Sequence, residues 1–401
     1  MRVLIVGAGP TGAALSLLLA RRGIHVVLLD REVNFERVFR GEALMPSGVE
    51  AIAQMGLRDE FTRLPQRTVE CMEFYVEGTR IIRAEWPEIK AANAVHIVSQ
   101  PALIEMLTSA AGGYPTFEMR LGALVRDVKV TDDGVDLNVR YADSEETLHG
   151  DFVIGADGRA SVIRARTDLK VERLPFPFDV AWFSLPLPPS QQEDPRFQAF
   201  SRDGKSVGLY PSWDGQLRLG LNVPAGASDA RREMPGKDAL LDEVGQVVGE
   251  PYATFIRKRK NEVADPVMLK ILFGRCPQWT AKRTLILGDA AHPMSPVRAQ
   301  GINLALRDAI VAADHLAAAL ADKDADKVQA AAERVQPERD PEIIESQRLQ
   351  VAVAEPPPPA RSAFLRATLL PVLRRIGVIK RLFLKAEIPL RHGVVPVRLE
   401  V

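Results

Sequence analysis

The start of the chain alternates apolar runs with a segment of helical spacing. Residues 3–6 are apolar and stop at a glycine, residues 11–22 repeat apolar side chains every three or four positions, and residues 25–29 return to a strand-like pattern. Short continuous apolar runs are typical of buried parallel strands, and the intervening period is that of a helix. The pattern therefore predicts a strand–helix–strand unit at the start.

Further strand-like segments occur later in the chain. They lie at residues 137–141, 152–154 and 284–287, and a strongly helical segment follows at residues 302–320. Between the second and third run, residues 171–270 alternate short β-type segments with turns rich in proline and glycine. This change of composition predicts a separate β-rich domain.

Charged and proline-rich segments complete the pattern. The basic run at residues 257–260 alternates in the manner of a strand, and we interpret it as a solvated face. Four prolines at residues 356–359 cannot continue a helix or a central strand, which predicts a boundary. Beyond it, residues 361–401 hold nine Arg or Lys among regularly spaced apolar residues. Such a tail could lie on a membrane or bind a partner, but we favour docking against its own chain.

The composition narrows the classes of function. The chain has 401 residues, 46% of them hydrophobic, and its 52 basic and 52 acidic side chains cancel. It can therefore bury a large core, and no excess charge favours nucleic acid. Cys71 and Cys276 form neither a disulfide framework nor a metal-ligand cluster, so we expect no metal and a cytoplasmic location. Glycines interrupt the apolar residues 3–20, which we interpret as folded structure rather than a signal peptide or a membrane span.

The first candidate site is the turn GAGPTG at residues 7–12, between the first predicted strand and helix. Glycines there let the backbone turn tightly and approach a pyrophosphate at the helix N-terminus. Asp30 follows the second strand, where its carboxylate can accept hydrogen bonds from the ribose of FAD or NAD. The strand, helix and acid together predict a dinucleotide site.

Two further motifs follow predicted strands. The sequence GADGR at residues 155–159 contains an Asp-Gly pair, which by itself is typical of a turn. The sequence GDAAHP at residues 288–293 leads to the start of the long helix, whose backbone N–H groups are exposed. Asp289 can accept hydrogen bonds from polyol hydroxyls, and a helix N-terminus aimed at a flavin would stabilise negative charge on the reduced ring.

This order of motifs, ending in GDAAHPMSPVRAQGINLALRDA at residues 288–309, resembles the class A FAD-dependent monooxygenases, the aromatic hydroxylase family typified by para-hydroxybenzoate hydroxylase. The resemblance implies an α/β fold in which a Rossmann-like FAD-binding domain of the glutathione-reductase type carries an inserted β-rich substrate domain and a helical C-terminal region. The expected division is 1–170 for the first part of the FAD-binding domain, with 70–96 contributing to the substrate domain, 171–270 for the substrate domain, 271–350 for the second part of the FAD-binding domain, and 351–401 for the C-terminal region.

The family's motifs also imply where FAD would bind. The first motif holds the adenosine pyrophosphate, the second supports FAD and nicotinamide use, and the third binds the ribityl chain. An arginine and a glutamine near the nucleotide look like Arg40 and Gln100 in this chain. The cofactor-binding residues implied are Gly7, Gly9, Pro10, Thr11, Gly12, Asp30, Arg31, Arg40, Gln100, Asp157, Gly288, Asp289, Pro296, Gly301, Ile302 and Asn303.

The chain departs from the family in the loop that would lie beside the flavin ring. The family often has two glycines where this sequence has Arg298 and Ala299. The loop is therefore expected to be bulkier and more cationic, with Pro296 and Arg298 as candidates beside the ring. Arg298 could contact substrate, phosphate or flavin, or form a salt bridge facing solvent. His292 is expected to pin the turn by hydrogen bonding rather than to act as a base.

The resemblance implies that NADPH or NADH reduces FAD and that molecular oxygen then hydroxylates an aromatic, quinonoid or polyketide-like small molecule through a flavin hydroperoxide. Because the cofactor carries the reactive atom, the chain needs no catalytic triad. Two alternatives remain: a flavin-dependent reductase of isoprenoid-type double bonds, which would consume no oxygen, and a non-catalytic flavin-fold binding module. We expect a monomer or a homodimer that associates with neither nucleic acid nor membrane.

Four aromatic residues of the β-rich region could line a substrate pocket, because such pockets combine large apolar faces with few polar groups. They are Trp182, Phe183, Tyr210 and Trp213. We predict Phe183, Tyr210 and Trp213 as the substrate-contacting residues, and core packing is the alternative for each.

Overall fold

A computed structural model describes residues 1–36, 41–85, 94–226, 235–354 and 378–400 of the chain. The strands are β1 Arg2–Val6, β2 His25–Leu29, β3 Ala43–Leu44, β4 Gln66–Val69, β5 Cys71–Val76, β6 Thr79–Glu85, β7 Val95–Val98, β8 Phe117–Arg120, β9 Leu124–Val130, β10 Val135–Arg140, β11 Glu145–Gly150, β12 Phe152–Gly155, β13 Glu172–Arg173, β14 Phe178–Pro186, β15 Arg196–Arg202, β16 Lys205–Pro211, β17 Gln216–Pro224, β18 Val267–Leu269, β19 Gly274–Arg275, β20 Thr280–Ala281 and β21 Thr284–Ile286. The helices are α1 Pro10–Arg21, α2 Pro46–Gln54, α3 Arg58–Thr62, α4 Gln100–Gly112, α5 Val162–Arg166, α6 Pro189–Glu193, α7 Lys237–Val248, α8 Tyr252–Arg259, α9 Gly301–Asp322, α10 Ala325–Ala354 and α11 Val378–His392.

A six-stranded sheet in the order β20-β21-β12-β1-β2-β8 forms the first layer. β1 pairs in parallel with both β2 and β12, and β12 pairs in parallel with β21. The apolar residues of β1 and β2 are buried on both faces, which is why their sequences lack alternation. Because parallel strands end at the same edge, the turns after β1, β2, β12 and β21 lie at one edge of the sheet.

A seven-stranded sheet in the order β18-β14-β17-β16-β15-β5-β6 forms the second layer. One face packs against α7 and α8 through a buried apolar core. The predicted strand at residues 257–260 is wrong. The first three residues of this run are the last three of α8, and Lys260 begins the following 3-10 turn. Tyr252 and Ile256 stand four residues apart and are the buried positions of α8, as expected for a helix. The basic residues themselves fit either period.

The C-terminal part of the described chain docks onto the first layer. α10 continues through Pro337 and Pro341, two residues that usually interrupt a helix. After α11, the side chain of Gln54 on α2 donates to the backbone oxygen of Val397 at 3.1 Å and accepts from the backbone N–H of Leu399 at 2.8 Å. The expected docking therefore holds for residues 378–400, whereas residues 361–377 lie outside the described ranges. In the described part of the chain, no helix is long and apolar enough to cross a membrane.

Candidate active site

The three glycines of the first turn have different local environments. Gly7 has φ +103°, and a Cβ placed there would lie 2.3 Å from the backbone oxygen of Ala156. A Cβ at Gly12 would lie 1.9 Å from the oxygen of Gly7. At Gly9, in contrast, no atom of the described residues lies within 4 Å of the added Cβ, and this residue is the N-cap of α1. The N-terminus of α1 therefore has space beside Gly9, which suits an anion such as a pyrophosphate.

Asp30 anchors this turn to the end of β2. Its Oδ2 accepts a hydrogen bond from the backbone N–H of Ala8 at 2.6 Å, and its Oδ1 accepts from the N–H of Glu32 at 3.0 Å. A carboxylate oxygen can accept more than one hydrogen bond, so these contacts leave capacity for a ribose hydroxyl. Arg31 points outward, with 61% of its side chain exposed, and pairs with Glu32.

The three motifs meet at one edge of the six-stranded sheet. The contact between Gly7 and Ala156 joins the first turn to the second motif. Gly288 has φ +59°, and a Cβ there would lie 2.5 Å from Oγ1 of Thr11, which follows Pro10 at the start of α1. The third motif therefore also contacts the first turn. Segments about 150 and 280 residues apart along the chain thus meet at one place, because their strands are parallel neighbours.

The second motif makes hydrogen bonds to a short helix, and that helix makes one to the third motif. Oδ2 of Asp157 accepts hydrogen bonds from the backbone N–H groups of Val162 and Ile163, at 2.7 and 3.2 Å, so Asp157 caps α5. Burial raises the pKa of the Asp157 carboxyl despite these hydrogen bonds. Arg164 on α5 donates to the backbone oxygen of Ala290 at 2.8 Å. The sequence pattern assigned no role to Arg164, because nothing local indicates its partner.

The acid of the third motif faces the start of α9. Asp289 is partly exposed, and its Oδ1 lies 4.0 Å from the position of a Cβ on Gly301. The N-cap residue of α9, Gln300, makes no side-chain cap hydrogen bond, and Ile302 is buried in the core. Asp289 and the first N–H groups of α9 therefore lie near one another.

Asn303 is held by backbone groups on two sides. Its Nδ2 donates to the backbone oxygen of Ala299 at 2.7 Å, and its Oδ1 accepts from the backbone N–H of Met45 at 2.8 Å. The side chain is buried, and both its donor and acceptor atoms bind backbone groups. Asn303 thus joins the loop at residues 296–299 to the segment that contains β3.

Arg298 and Ala299 both adopt left-handed backbone conformations, with φ 64° and 50°. Such a conformation costs an L-residue about 1–2 kcal/mol and costs glycine little, which explains why glycines suit these positions. The Arg298 side chain is only 14% exposed and forms an ion pair with Glu387 of α11. Its guanidinium lies 6.0 Å from the ring centre of Phe74, and burial lowers its pKa to about 10. The alternative of a salt bridge facing solvent is therefore wrong.

His292 and the third motif rest on a buried group of charges that the sequence did not predict. Oδ2 of Asp308 on α9 lies 2.6 Å from Nε2 of His292 and accepts from the N–H of Gly288 at 3.2 Å. Oδ1 of Asp308 accepts from Nε of Arg339 at 2.8 Å. Burial alone would raise the pKa of Asp308, but His292 and Arg339 hold it below its usual value. His292 thus pins the turn, as expected.

Glu42 is a second buried acidic residue whose partners the sequence did not indicate. Gln100 donates to the backbone oxygen of the adjacent Gly41 at 3.1 Å, whereas Arg40 lies outside the described residues. The buried Glu42 carboxylate accepts from Oγ of Ser212 at 2.9 Å and pairs with Arg218 at 3.2 Å. It therefore connects the loop before β3 to the seven-stranded sheet. Burial raises the pKa of Glu42, although Arg218 opposes the shift.

The raised pKa of Glu42 predicts a pH-dependent stability. The folded protein should take up this proton at a higher pH than the unfolded chain does, so lowering the pH from neutral towards the ordinary value of 4.5 should increase the contribution of Glu42 to the free energy of unfolding. Glu42→Gln should lack this gain, and Glu50→Gln, which changes an exposed glutamate of α2, should retain it. Urea unfolding across this pH range measures the effect, and parallel pH profiles for wild type and Glu42→Gln would contradict it.

The predicted substrate residues lie on opposite faces of the seven-stranded sheet. Phe183 is only 3% exposed and belongs to the core beneath α7 and α8, so its prediction as a substrate contact is corrected to core packing. Side chains alternate along a strand, which places the neighbouring Trp182 on the other face. Tyr210 and Trp213 are partly exposed and pack against a small apolar cluster. We call it the Met45 cluster; its buried members are Met45, Val69, Val95 and Ile97.

Comparison with known proteins defines the class. Residues 1–338 match the family described as FAD binding domain, and the chain belongs to this family. It is 29% identical over 355 residues to 6-methylpretetramide 4-monooxygenase of Streptomyces rimosus, covering 87% of this chain and 82% of that protein. It is 28% identical to 3-amino-4-hydroxybenzoate 2-monooxygenase of Streptomyces cremeus, covering 77% and 76%. The structure of PqsL, a probable FAD-dependent monooxygenase from Pseudomonas aeruginosa, matches with a TM-score of 0.74 at 26% identity, covering 95% of this chain and 99% of that one.

These similarities confirm the predicted fold class and the resemblance to class A monooxygenases. The chain is an FAD-dependent monooxygenase that uses NAD(P)H and molecular oxygen. The two alternatives, a reductase of isoprenoid-type double bonds and a non-catalytic module, gain no support from these relatives.

Proposed function

We propose that this monooxygenase hydroxylates an aromatic, quinonoid or polyketide-like small molecule held between the seven-stranded sheet and the loop at residues 296–299. One observation carries the proposal: Phe197, Tyr210 and Trp213 pack against the same Met45 cluster as Ala299. An aromatic face of the second layer therefore lies beside the loop that would border the flavin ring. The names of the relatives, which include 6-methylpretetramide 4-monooxygenase, support a substrate of this kind.

The cofactor would extend along the groove between the three motifs. We assign the pyrophosphate to Gly9 and the N-terminus of α1, where a Cβ would meet open space. Asp30 would hold the adenosine ribose, and Asp289 the ribityl chain. We place Arg40 and Gln100 beside the nucleotide, and Pro296 beside the ring. The other predicted residues also belong to the proposed cofactor site: Gly7, Pro10, Thr11, Gly12, Arg31, Asp157, Gly288, Gly301, Ile302 and Asn303.

Bound FAD would supply the redox chemistry with oxygen, and the chain would supply placement and charge. The uncapped N-terminus of α9 would stabilise negative charge on the reduced ring. The Met45 cluster and the aromatic face would exclude water from the reacting atoms. Arg298 would contribute a buried positive charge at the same loop, where its guanidinium pairs with the carboxylate of Glu387.

The function is tested by spectroscopy and oxygen uptake. Purified protein should be yellow and carry FAD, and NADH or NADPH should bleach the flavin faster when a suitable phenol or quinone is present. Oxygen consumption should follow NAD(P)H consumption, and isotopically labelled oxygen should appear in the product. A colourless protein, or reduction of substrate without oxygen uptake, would overturn the proposal.

We also propose the domain division 1–170, 171–270, 271–350 and 351–401, a cytoplasmic location, and a monomeric or homodimeric state. The sheet assignments support the domain division in part, since β14 to β18 lie in the seven-stranded sheet while β20 and β21 return to the first. Light scattering on the purified protein tests the oligomeric state.

A further inference from the structure

One lateral row of residues crosses five strands of the seven-stranded sheet. Ala199 lies opposite Phe74 and also opposite Gly208. Gly220 lies opposite Gly208 and also opposite Trp182. Directly opposite residues point to the same face of a sheet, so the row consists of an aromatic residue at each end and three small residues between them.

Aromatic rings lie over the glycines of this row. A Cβ on Gly220 would lie 3.1 Å from each of two ring carbons of Trp182, and a Cβ on Gly208 would lie 3.7 Å from the ring of Phe197. Tyr210 connects the two rings: its centroid is 6.3 Å from that of Trp182 and 6.5 Å from that of Phe197. The rings therefore form a continuous apolar surface, which we call the aromatic floor and define as Phe74, Trp182, Phe197 and Tyr210.

The aromatic floor is open, in contrast to the opposite face of the same strands. All four of its side chains are partly exposed, whereas Phe183, Leu209 and Leu219 on the other face are buried under α7 and α8. Glycine inside a strand costs stability and typically marks a site where another group approaches closely. Here Gly220 permits the indole of Trp182 to lie against the backbone of β17.

The length of the aromatic floor bears on the size of the substrate. Successive ring centroids are more than 6 Å apart, a distance greater than the width of one benzene ring. A single-ring compound can therefore contact one side chain at a time, whereas a planar fused-ring compound can contact two or three. The ring planes of Trp182 and Tyr210 are inclined at 73°, so a compound stacked on one of them meets the other edge-on. Each aromatic contact contributes about 0.5–1.5 kcal/mol beyond its buried area.

We propose that Trp182, seated over Gly220, is a specificity-determining residue that selects planar fused-ring substrates over single-ring ones. This inference rests on the proposed function. Trp182 occupies the far end of the aromatic floor, whereas Phe197 and Tyr210 also pack against the Met45 cluster. A single-ring substrate held near Ala299 can use the latter two side chains, and only a larger ring system extends to Trp182.

The test compares two probes on the FAD-loaded protein. Dissociation constants for 1,8-dihydroxyanthraquinone and 4-hydroxybenzoate are measured by equilibrium dialysis for wild type, Trp182→Ala, Trp182→Phe and Gly220→Ala. Trp182→Ala should raise the dissociation constant of the three-ring probe about tenfold, the equivalent of one lost aromatic contact. It should change the dissociation constant of the single-ring probe less than about twofold. Trp182→Phe should recover part of the loss. Gly220→Ala should weaken the three-ring probe, because its Cβ would displace the indole.

Gly245→Ala provides the matched control. This glycine lies in α7 on the other side of the sheet, and its Cβ would make an ordinary 3.7 Å contact with Ala253. The variant should bind both probes as wild type does. Equal effects of Trp182→Ala on both probes, or wild-type binding that does not favour the three-ring probe, would overturn the inference. A wild-type protein without flavin or oxygen uptake would instead overturn the proposed function, so the two failures are distinguishable.

Discussion

Gly9→Val should yield a folded protein that no longer retains FAD. Gly9 has φ −75° and ψ −178°, an extended conformation that valine adopts readily, and within the described ranges no atom lies within 4 Å of the added Cβ. The new side chain would occupy the space in front of α1 that we assign to the pyrophosphate. We expect roughly a hundredfold loss of FAD affinity, about 2.7 kcal/mol, with little change in melting temperature. Fluorescence titration of apoprotein with FAD and circular dichroism measure the two quantities.

Two other glycines provide the controls for this result. Gly112→Val changes an exposed glycine at the end of α4, also without neighbours within 4 Å, and should bind FAD normally. Gly12→Ala should instead damage the fold, because its Cβ would lie 1.9 Å from the oxygen of Gly7. Wild-type FAD affinity in Gly9→Val would show that the pyrophosphate lies elsewhere.

Asp308→Asn should cause the largest loss of stability among the charge-removing substitutions that we propose. Asp308 is fully buried and accepts hydrogen bonds from Arg339 and from the N–H of Gly288, besides its contact with His292. Glu342 also pairs with Arg339 at 2.5 Å, so the substitution leaves one carboxylate where there were two. Removing one partner of a buried ionic group costs about 3–5 kcal/mol. Urea unfolding measures this loss as a shift in the midpoint.

The same variant tests whether the buried charges support the cofactor site. Asparagine has one acceptor oxygen where Asp308 has two, so it cannot accept from both Arg339 and the N–H of Gly288. This competition should loosen the third motif, so FAD affinity should fall together with stability. Asp322→Asn, at the exposed end of the same helix, is the matched control and should change stability by less than about 1 kcal/mol. An effect of Asp308→Asn as small as that of Asp322→Asn would refute the role of this network.

The arrangement of the three motifs could largely be predicted from sequence, because each motif depends on residues close together in the chain. A short apolar run that ends at a glycine, followed by a helix, places Gly9 at a helix N-terminus wherever the unit sits in the fold. The groups after β12 and β21 could be expected beside it, since successive parallel strands share their carboxyl edge. The unusual Arg298 and Ala299 were visible as well, although their left-handed backbone was not.

The aromatic floor and the buried charges behind the third motif could not be predicted from local sequence patterns. Phe183 and Trp182 are adjacent aromatic residues, and only the pairing of β14 within its sheet decides which of them faces the core. Glu42 meets Arg218 across 176 residues of sequence, and its partner cannot be inferred from its neighbours. The basic run at the end of α8 is compatible with a strand or a helix, and the burial of Tyr252 and Ile256 in the folded protein stabilises the helix.

The sequence by itself therefore determined the class of enzyme and the position of its cofactor motifs, because backbone turns and strand ends depend on residues close in the chain. The tertiary structure alone decided which side chains of the second layer face its core, which form the aromatic floor, and which buried charges hold Gly288 in place. Those contacts join residues from separate strands and helices. They form, and contribute to stability, only after the two layers have packed together.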